Sequence, residues 1–270
     1  MLSRLLTSAL FVVILTNLVS GYRNGYYYAH IQSPRVPTEK TKIERHISLK
    51  GLKNFGSTCY LNSILQALFH TYEFRNSFLN STFCGESNCE SGLRLKQIFE
   101  IMRDSNNPPS LIDASLSAII KSLSLDKSTQ EDAHEILMRL LNSINRSNGC
   151  LHDQPISLFK GLLQSKLTHS HVPFEKVIVE SFIDVNVDVN VDSETSMEDF
   201  SLVGGLRQQL CGNDTLEYNM PGLGLQNLLR IKKILSWPKL LLIHLKRFEF
   251  DVKRNLINKV KNDAIVYLYY

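Results

Sequence analysis

Residues Gly51 to Gln66 read GLKNFGSTCYLNSILQ, and this stretch decides how the rest of the chain is read. Cys59 follows a glycine-containing loop and opens an apolar-periodic run. Leu61, Ile64, Leu65 and Leu68 stand at i, i+3, i+4 and i+7, the spacing of one helix face. Cys59 then falls in the first helical turn, where unpartnered backbone N–H groups and the positive end of the helix dipole favour a thiolate. A thiolate is the reactive form of cysteine. A small buried cysteine is the competing reading of the same residue. Asn54, five positions upstream, tips the balance, because its amide can donate to an oxyanion.

Two further blocks lie downstream. Thr129 to Leu137 reads TQEDAHEIL, and Leu240 to Phe248 reads LLLIHLKRF. With GLKNFGSTCYLNSILQAL, these resemble in order the cysteine box, the glutamine-aspartate box and the strand before the histidine box of the ubiquitin-specific proteases. That is the papain-like family of deubiquitinating enzymes. The resemblance covers roughly residues 48 to 270. It implies an α+β fold, with a helical lobe over about 48–150 and a β-rich fingers and palm region over about 155–270. It also implies thiol-dependent removal of ubiquitin from protein conjugates, with the scissile bond held between the lobes.

The resemblance carries the nucleophile onto Cys59, and the oxyanion donors onto Asn54 and the Cys59 backbone N–H. Gln130 and Asp132 border the channel for ubiquitin's basic C-terminal tail, where a carboxylate can pair with arginines. Asp132 has a second reading as helix-dipole compensation at the start of the following helix. The family histidine lies downstream of the HLKRF strand, whereas here no histidine follows His244. His244 itself reads as a core histidine with a hydrogen-bond partner. The expectation is a domain that stops before its histidine box and cleaves poorly by itself. A non-catalytic ubiquitin-binding pseudoprotease is the alternative.

No cofactor is expected. The family's two C-x-x-C pairs would fall in Leu167–Phe174 (LTHSHVPF) and Leu216–Gly224 (LEYNMPGLG), and neither segment contains cysteine. His169 and His171 are too few for a closed zinc site. Met220 and Leu223 suggest apolar packing in place of metal. A site from Cys84, Cys89, Cys150 and His152 is disfavoured by its C-x4-C spacing.

Bulk properties narrow the partners. The 270 residues are 43% hydrophobic and 21% charged, enough for a sizeable core. A net charge of +4 and the lack of a basic run interleaved with aromatics argue against nucleic-acid binding. The odd count of five irregularly spaced cysteines does not read as a disulfide framework and fits a reducing compartment.

The N-terminus points elsewhere. Residues 5–22 are uncharged and contain LFVVIL after Arg4, the shape of a signal peptide, a short membrane anchor or a spurious start. As an anchor, with Arg23, Arg35, Lys40 and Lys42 behind it, it would keep the protease domain in the cytosol. Residues 23–47 read as linker.

Further elements follow from pattern. A helix is expected over Leu111–Leu125. Another follows a capping box formed by Ser128 and Glu131, with Ala133, Ile136, Leu137, Leu140, Leu141 and Ile144 as its apolar stripe. Residues 177–191 include a run from Asp184 onward in which Asp or Asn alternates with valine, and the stretch reads as one half-buried strand. A calcium loop there is excluded, because Val189 and Thr195 stand where Gly and Glu are needed.

Overall fold

The computed structural model describes residues 18–23, 26–31, 51–82, 90–104, 106–108, 110–146, 155–188, 200–246, 248–251, 256–259 and 264–265. The fold is α+β, and the chain divides into two compact units that meet in sequence between Leu158 and Phe159. Residues 1–17 and the cysteines Cys84, Cys89 and Cys150 with His152 lie outside the described residues. Leu18–Arg23 (β1) and Tyr26–Ile31 (β2) pair as antiparallel strands, the latter inside the stretch read as linker. Among the described residues, no helix is long and apolar enough to cross a membrane.

Among the described residues, five helices build the first unit. The first, Cys59–His70 (α1), buries Leu61, Ile64, Leu65 and Leu68 as its spacing requires, and Tyr60 and Phe69 widen the buried face. Thr71 ends it. Its extended backbone (ψ 102°) breaks the helix, while its N–H and hydroxyl both donate to the Ala67 carbonyl, at 3.1 and 2.8 Å.

Tyr72–Asn80 (α2) and Glu90–Arg103 (α3) follow. In α3, Leu95, Ile98, Phe99 and Met102 are all fully buried at helical spacing. The Phe99 ring meets Phe69 at 5.4 Å and Phe78 at 5.7 Å, edge-on as aromatic quadrupoles prefer. Buried Arg75 locks the α1–α2 corner by donating to the Phe69 carbonyl at 2.9 Å and lying over the Phe69 ring.

Ser110–Ser122 (α4) is shorter than expected. Ser124 turns the chain with a positive φ of 53°, and Leu125 N–H closes on the Ile120 carbonyl. Ala133–Arg146 (α5) carries the expected stripe, with Ile136, Leu137, Leu140, Leu141 and Ile144 buried. Its cap differs from expectation. Asp132 Oδ1 accepts the N–H groups of His134 at 2.7 Å and Glu135 at 3.0 Å, so Asp132 is the N-cap. Ser128 lies further upstream, where its N–H and hydroxyl bond Asp126.

After a short 3₁₀ turn (Pro155–Phe159) the second unit is β-rich. Strands Gly161–Thr168 (β3), Glu175–Phe182 (β4), Asn213–Met220 (β7) and Gly224–Ser236 (β8) form an antiparallel sheet in the order β4-β3-β8-β7. Leu167↔Arg230 and Lys166↔Val177 fix its register. The two segments where family zinc pairs would fall contain the β3–β4 and β7–β8 turns. Buried Met220 packs there with Leu167, Leu228, Phe174 and Tyr218, whereas Leu223 is exposed and plays no part in that core. His169 Nδ1 closes its own turn by accepting the His171 and Val172 N–H groups at 3.0 and 3.1 Å.

The valine-rich run is not one strand. It breaks at Ile183, and Asp184–Asp188 (β5) leaves the β4 sheet to pair in parallel with Leu242–Lys246 (β9). Val185 and Val187 enter a core with Leu241, Ile243 and Leu245, and Leu202–Cys211 (α6) packs on β5 and β8 to cover it. The polar face of β5 is spent on β9: Asn186 Oδ1 lies 2.7 Å from His244 Nδ1, and Asp188 pairs with Lys246 at 3.2 Å. His244 therefore has the partner expected of a core histidine. Phe200–Ser201 (β6) pairs with Ala264–Ile265 (β12), and Phe248–Asp251 (β10) with Leu256–Lys259 (β11).

Candidate active site

Cys59 opens α1 and is half-buried, with its sulfur at the helix start rather than sealed in the core. The preceding loop is folded by its own side chains. Thr58, fully buried, accepts the Phe55 N–H on Oγ1 at 3.0 Å. Its hydroxyl proton is then directed to Asn54 Oδ1 at 2.9 Å, and the Thr58 backbone N–H reaches the same oxygen at 3.1 Å.

These two donors fix the orientation of the Asn54 amide. Two donors converge on one atom, so that atom is the carbonyl oxygen. The Asn54 Nδ2 group, with its two N–H donors, faces away from Thr58. Asn62, one turn into α1, donates to the Lys53 carbonyl at 3.1 Å and ties the incoming chain to the helix.

A second loop, residues 126–132, docks on the first. Gly56 has a φ of +116°, and a Cβ there would stand 2.4 Å from the Lys127 carbonyl oxygen. The neighbouring Ser57 N–H donates to that oxygen at 2.8 Å. Asp126 braces the loop by accepting the Ser128 N–H and hydroxyl, which hold its carboxyl below the usual range. The loop delivers Gln130, whose Nε2 lies 4.0 Å from Cys59 Sγ. Lys53 and Lys127 place their ammonium groups over the Phe55 ring at 5.3 and 5.2 Å. Tyr60, buried beside Cys59, has its phenol pushed above the ordinary value mainly by burial, so it stays neutral at physiological pH.

Of the residues singled out from sequence, Cys59, Asn54 and Gln130 come together at the start of α1. Asp132 lies two residues beyond Gln130, exposed, with Oδ1 engaged in capping α5. Sequence reasoning passed over Thr58 and Gly56. The signals for them were a threonine directly before a helix and a glycine in a loop, both too common to single out.

A thiol at a helix start flanked by an amide donor is a layout that thiol-dependent hydrolases use. The family model described as ubiquitin carboxyl-terminal hydrolase matches residues 50–268, and the chain belongs to that family. The chain is 29% identical over 218 residues to ubiquitin carboxyl-terminal hydrolase 7 of Drosophila melanogaster, covering 77% of this chain and 18% of that protein. It is 28% identical over 274 residues to ubiquitin C-terminal hydrolase 22 of Arabidopsis thaliana, covering 84% and 47%. The chain thus spans less than half the length of these relatives. Its fold is similar to that of a solved structure of the SAGA Ubp8/Sgf11/Sus1/Sgf73 DUB module bound to ubiquitin aldehyde. There the TM-score is 0.63 at 22% identity, over 82% of this chain and 52% of that one.

Proposed function

We propose that the chain carries the nucleophile and oxyanion donors of a deubiquitinating thiol hydrolase. The observation that carries this reading is the half-exposed Cys59 at the start of α1, beside an Asn54 amide whose donor end is turned away from Thr58. Cys59 Sγ attacks the carbonyl carbon of ubiquitin's C-terminal glycine. Asn54 Nδ2 and the Cys59 backbone N–H receive the oxygen as it becomes negative, and such donors act strongly because they are fixed beforehand. The thiol's proton passes to water as Sγ attacks, collapse expels the substrate lysine amine, which takes a proton back from water, and the thioester left on Cys59 is hydrolysed to the ubiquitin carboxylate and the free thiol. Gln130 contacts the reacting end of the ubiquitin tail, and the Asp132 carboxylate pairs with arginine on that tail while its other oxygen caps α5.

The test is the full chain incubated with ubiquitin bearing a C-terminal propargylamide. A covalent adduct on the Cys59 peptide, absent in Cys59→Ala, is expected. An intact, folded chain that forms no adduct sinks the proposal.

A further inference from the structure

We infer that Gly56 and Ser57 are positioning residues for Gln130: the cysteine loop carries the 126–130 loop on its backbone and so sets the distance from the Gln130 amide to the Cys59 sulfur. The inference rests on the reading of Cys59 as nucleophile. Its geometry is a chain of contacts through one carbonyl. The Lys127 oxygen accepts the Ser57 N–H at 2.8 Å and lies where a Gly56 Cβ would stand, 2.4 Å away. That approach is closer than any side chain tolerates, and the positive φ of 116° at Gly56 disfavours one as well.

Residues 126–130 are exposed, and besides this carbonyl only the Lys127 ammonium over the Phe55 ring, at 5.2 Å, and one serine hydroxyl are described as holding them to the cysteine loop. The Ser57 hydroxyl adds a weaker contact to the Ser128 carbonyl at 3.3 Å. Three residues beyond Lys127 the chain presents Gln130 Nε2 to Cys59 Sγ at 4.0 Å, a separation that shortens readily when the sulfur carries charge. The same backbone that holds the thiol at its helix start therefore also holds the donor facing it. Two sequence blocks 71 residues apart behave as one part.

The experiment is peptide-resolved alkylation of Cys59 by iodoacetamide in the full chain at neutral pH, which needs no ubiquitin and so stands apart from the test of the function. Gln130→Ala is expected to slow Cys59 alkylation roughly three- to tenfold through loss of a donor to the thiolate. Gly56→Ala is expected to slow it to a similar extent, and the double variant to be no slower than either single, because both remove the same contact. A purely structural effect of Gly56→Ala would instead multiply with that of Gln130→Ala.

A glycine inserted between Ser128 and Thr129 leaves Gly56 intact while uncoupling Lys127 from Gln130. It decides the matter where Gly56→Ala does not fold, and the same loss, non-additive with Gln130→Ala, is expected. Multiplicative losses, or an insertion variant alkylated as fast as the native chain, overturn the inference.

Discussion

Replacing Thr58 by valine keeps the shape of a fully buried side chain and removes its hydroxyl. Two hydrogen bonds go with it, the one accepted from Phe55 N–H at 3.0 Å and the one donated to Asn54 Oδ1 at 2.9 Å. Each is worth about 1 kcal/mol net, and the stranded Phe55 N–H adds a desolvation cost of about 1–2 kcal/mol. The expected destabilisation is therefore about 3–4 kcal/mol, or roughly 6–16 °C in Tm for a chain of this size. The functional effect is separate. Asn54 Oδ1 keeps only the Thr58 backbone N–H at 3.1 Å, so the amide is held less firmly.

Complete loss of an oxyanion donor costs about a hundred- to a thousandfold, and a loosened one is expected to cost about tenfold. The assay is affinity for ubiquitin aldehyde, whose adduct with a thiol develops an oxygen at that position. It is measured well below the Tm of each variant by competition with propargylamide labelling. Thr58→Ser, which retains the hydroxyl, is the comparison. Should Thr58→Val bind the aldehyde within twofold of Thr58→Ser, the amide does not depend on that hydroxyl and the reasoning fails.

Two other tests address single residues. Asp132→Ala should lower stability by about 1 kcal/mol through loss of the α5 cap, whereas Asp132→Asn keeps a capping oxygen and should leave Tm nearly unchanged. If Asp132 also pairs with the ubiquitin tail, Asp132→Asn weakens ubiquitin binding all the same, and unchanged binding removes that role. Hydrogen bonds from Arg230, with Lys232 beside it, hold the Asp214 carboxyl down to about 2 from its ordinary 3.8. The folded value lies below the unfolded one, so the contribution is complete above about pH 4 and is lost as pH falls towards 2. The gap would be worth about 2.5 kcal/mol at face value. With the side chain 38% exposed, solvent screening reduces the expectation to about 1 kcal/mol. The stability difference between native and Asp214→Asn chains in urea should shrink between pH 7 and pH 2.5, and an unchanged difference refutes the linkage.

The elements legible in the sequence are those whose burial follows one clean period. In α1 and α5 every apolar position of the stripe is buried, and the apolar residues 240–243 and 245 leading into and through β9 all enter the core. Less regular segments were opaque. Helix α2 starts with only Thr71 between it and α1, so its apolar positions do not continue the α1 stripe, and α3 follows a polar stretch with no apolar period of its own. In the valine-rich stretch the alternation lapses over residues 180–183 (ESFI), where the chain leaves β3 for β9, but pattern records which face is apolar and not which neighbour is bonded. Ser128 and Glu131 satisfy a capping-box pattern, but Asp132 wins because its carboxylate reaches two N–H groups directly. At the site, Cys59 and Asn54 were legible because they share one segment. The 4.0 Å approach of Gln130 depends on how two loops dock, which no local pattern encodes.

The β5 strand lies within a stretch whose valines recur at every second position: Val185, Val187, Val189 and Val191. Sliding such a strand by one residue against β9 would expel its valines from the core and is forbidden by burial alone. Sliding it by two would leave the apolar face unchanged, so hydrophobicity is blind to that error. What tells the two alignments apart is the hydrophilic edge, where Asn186 meets His244 and Asp188 meets Lys246. A two-step shift sets asparagine against the lysine and aspartate against the imidazole. The unique threading of this repetitive strand thus depends on a pair of cross-strand contacts worth about 1 kcal/mol each, a slender margin for a choice the oily side chains leave open.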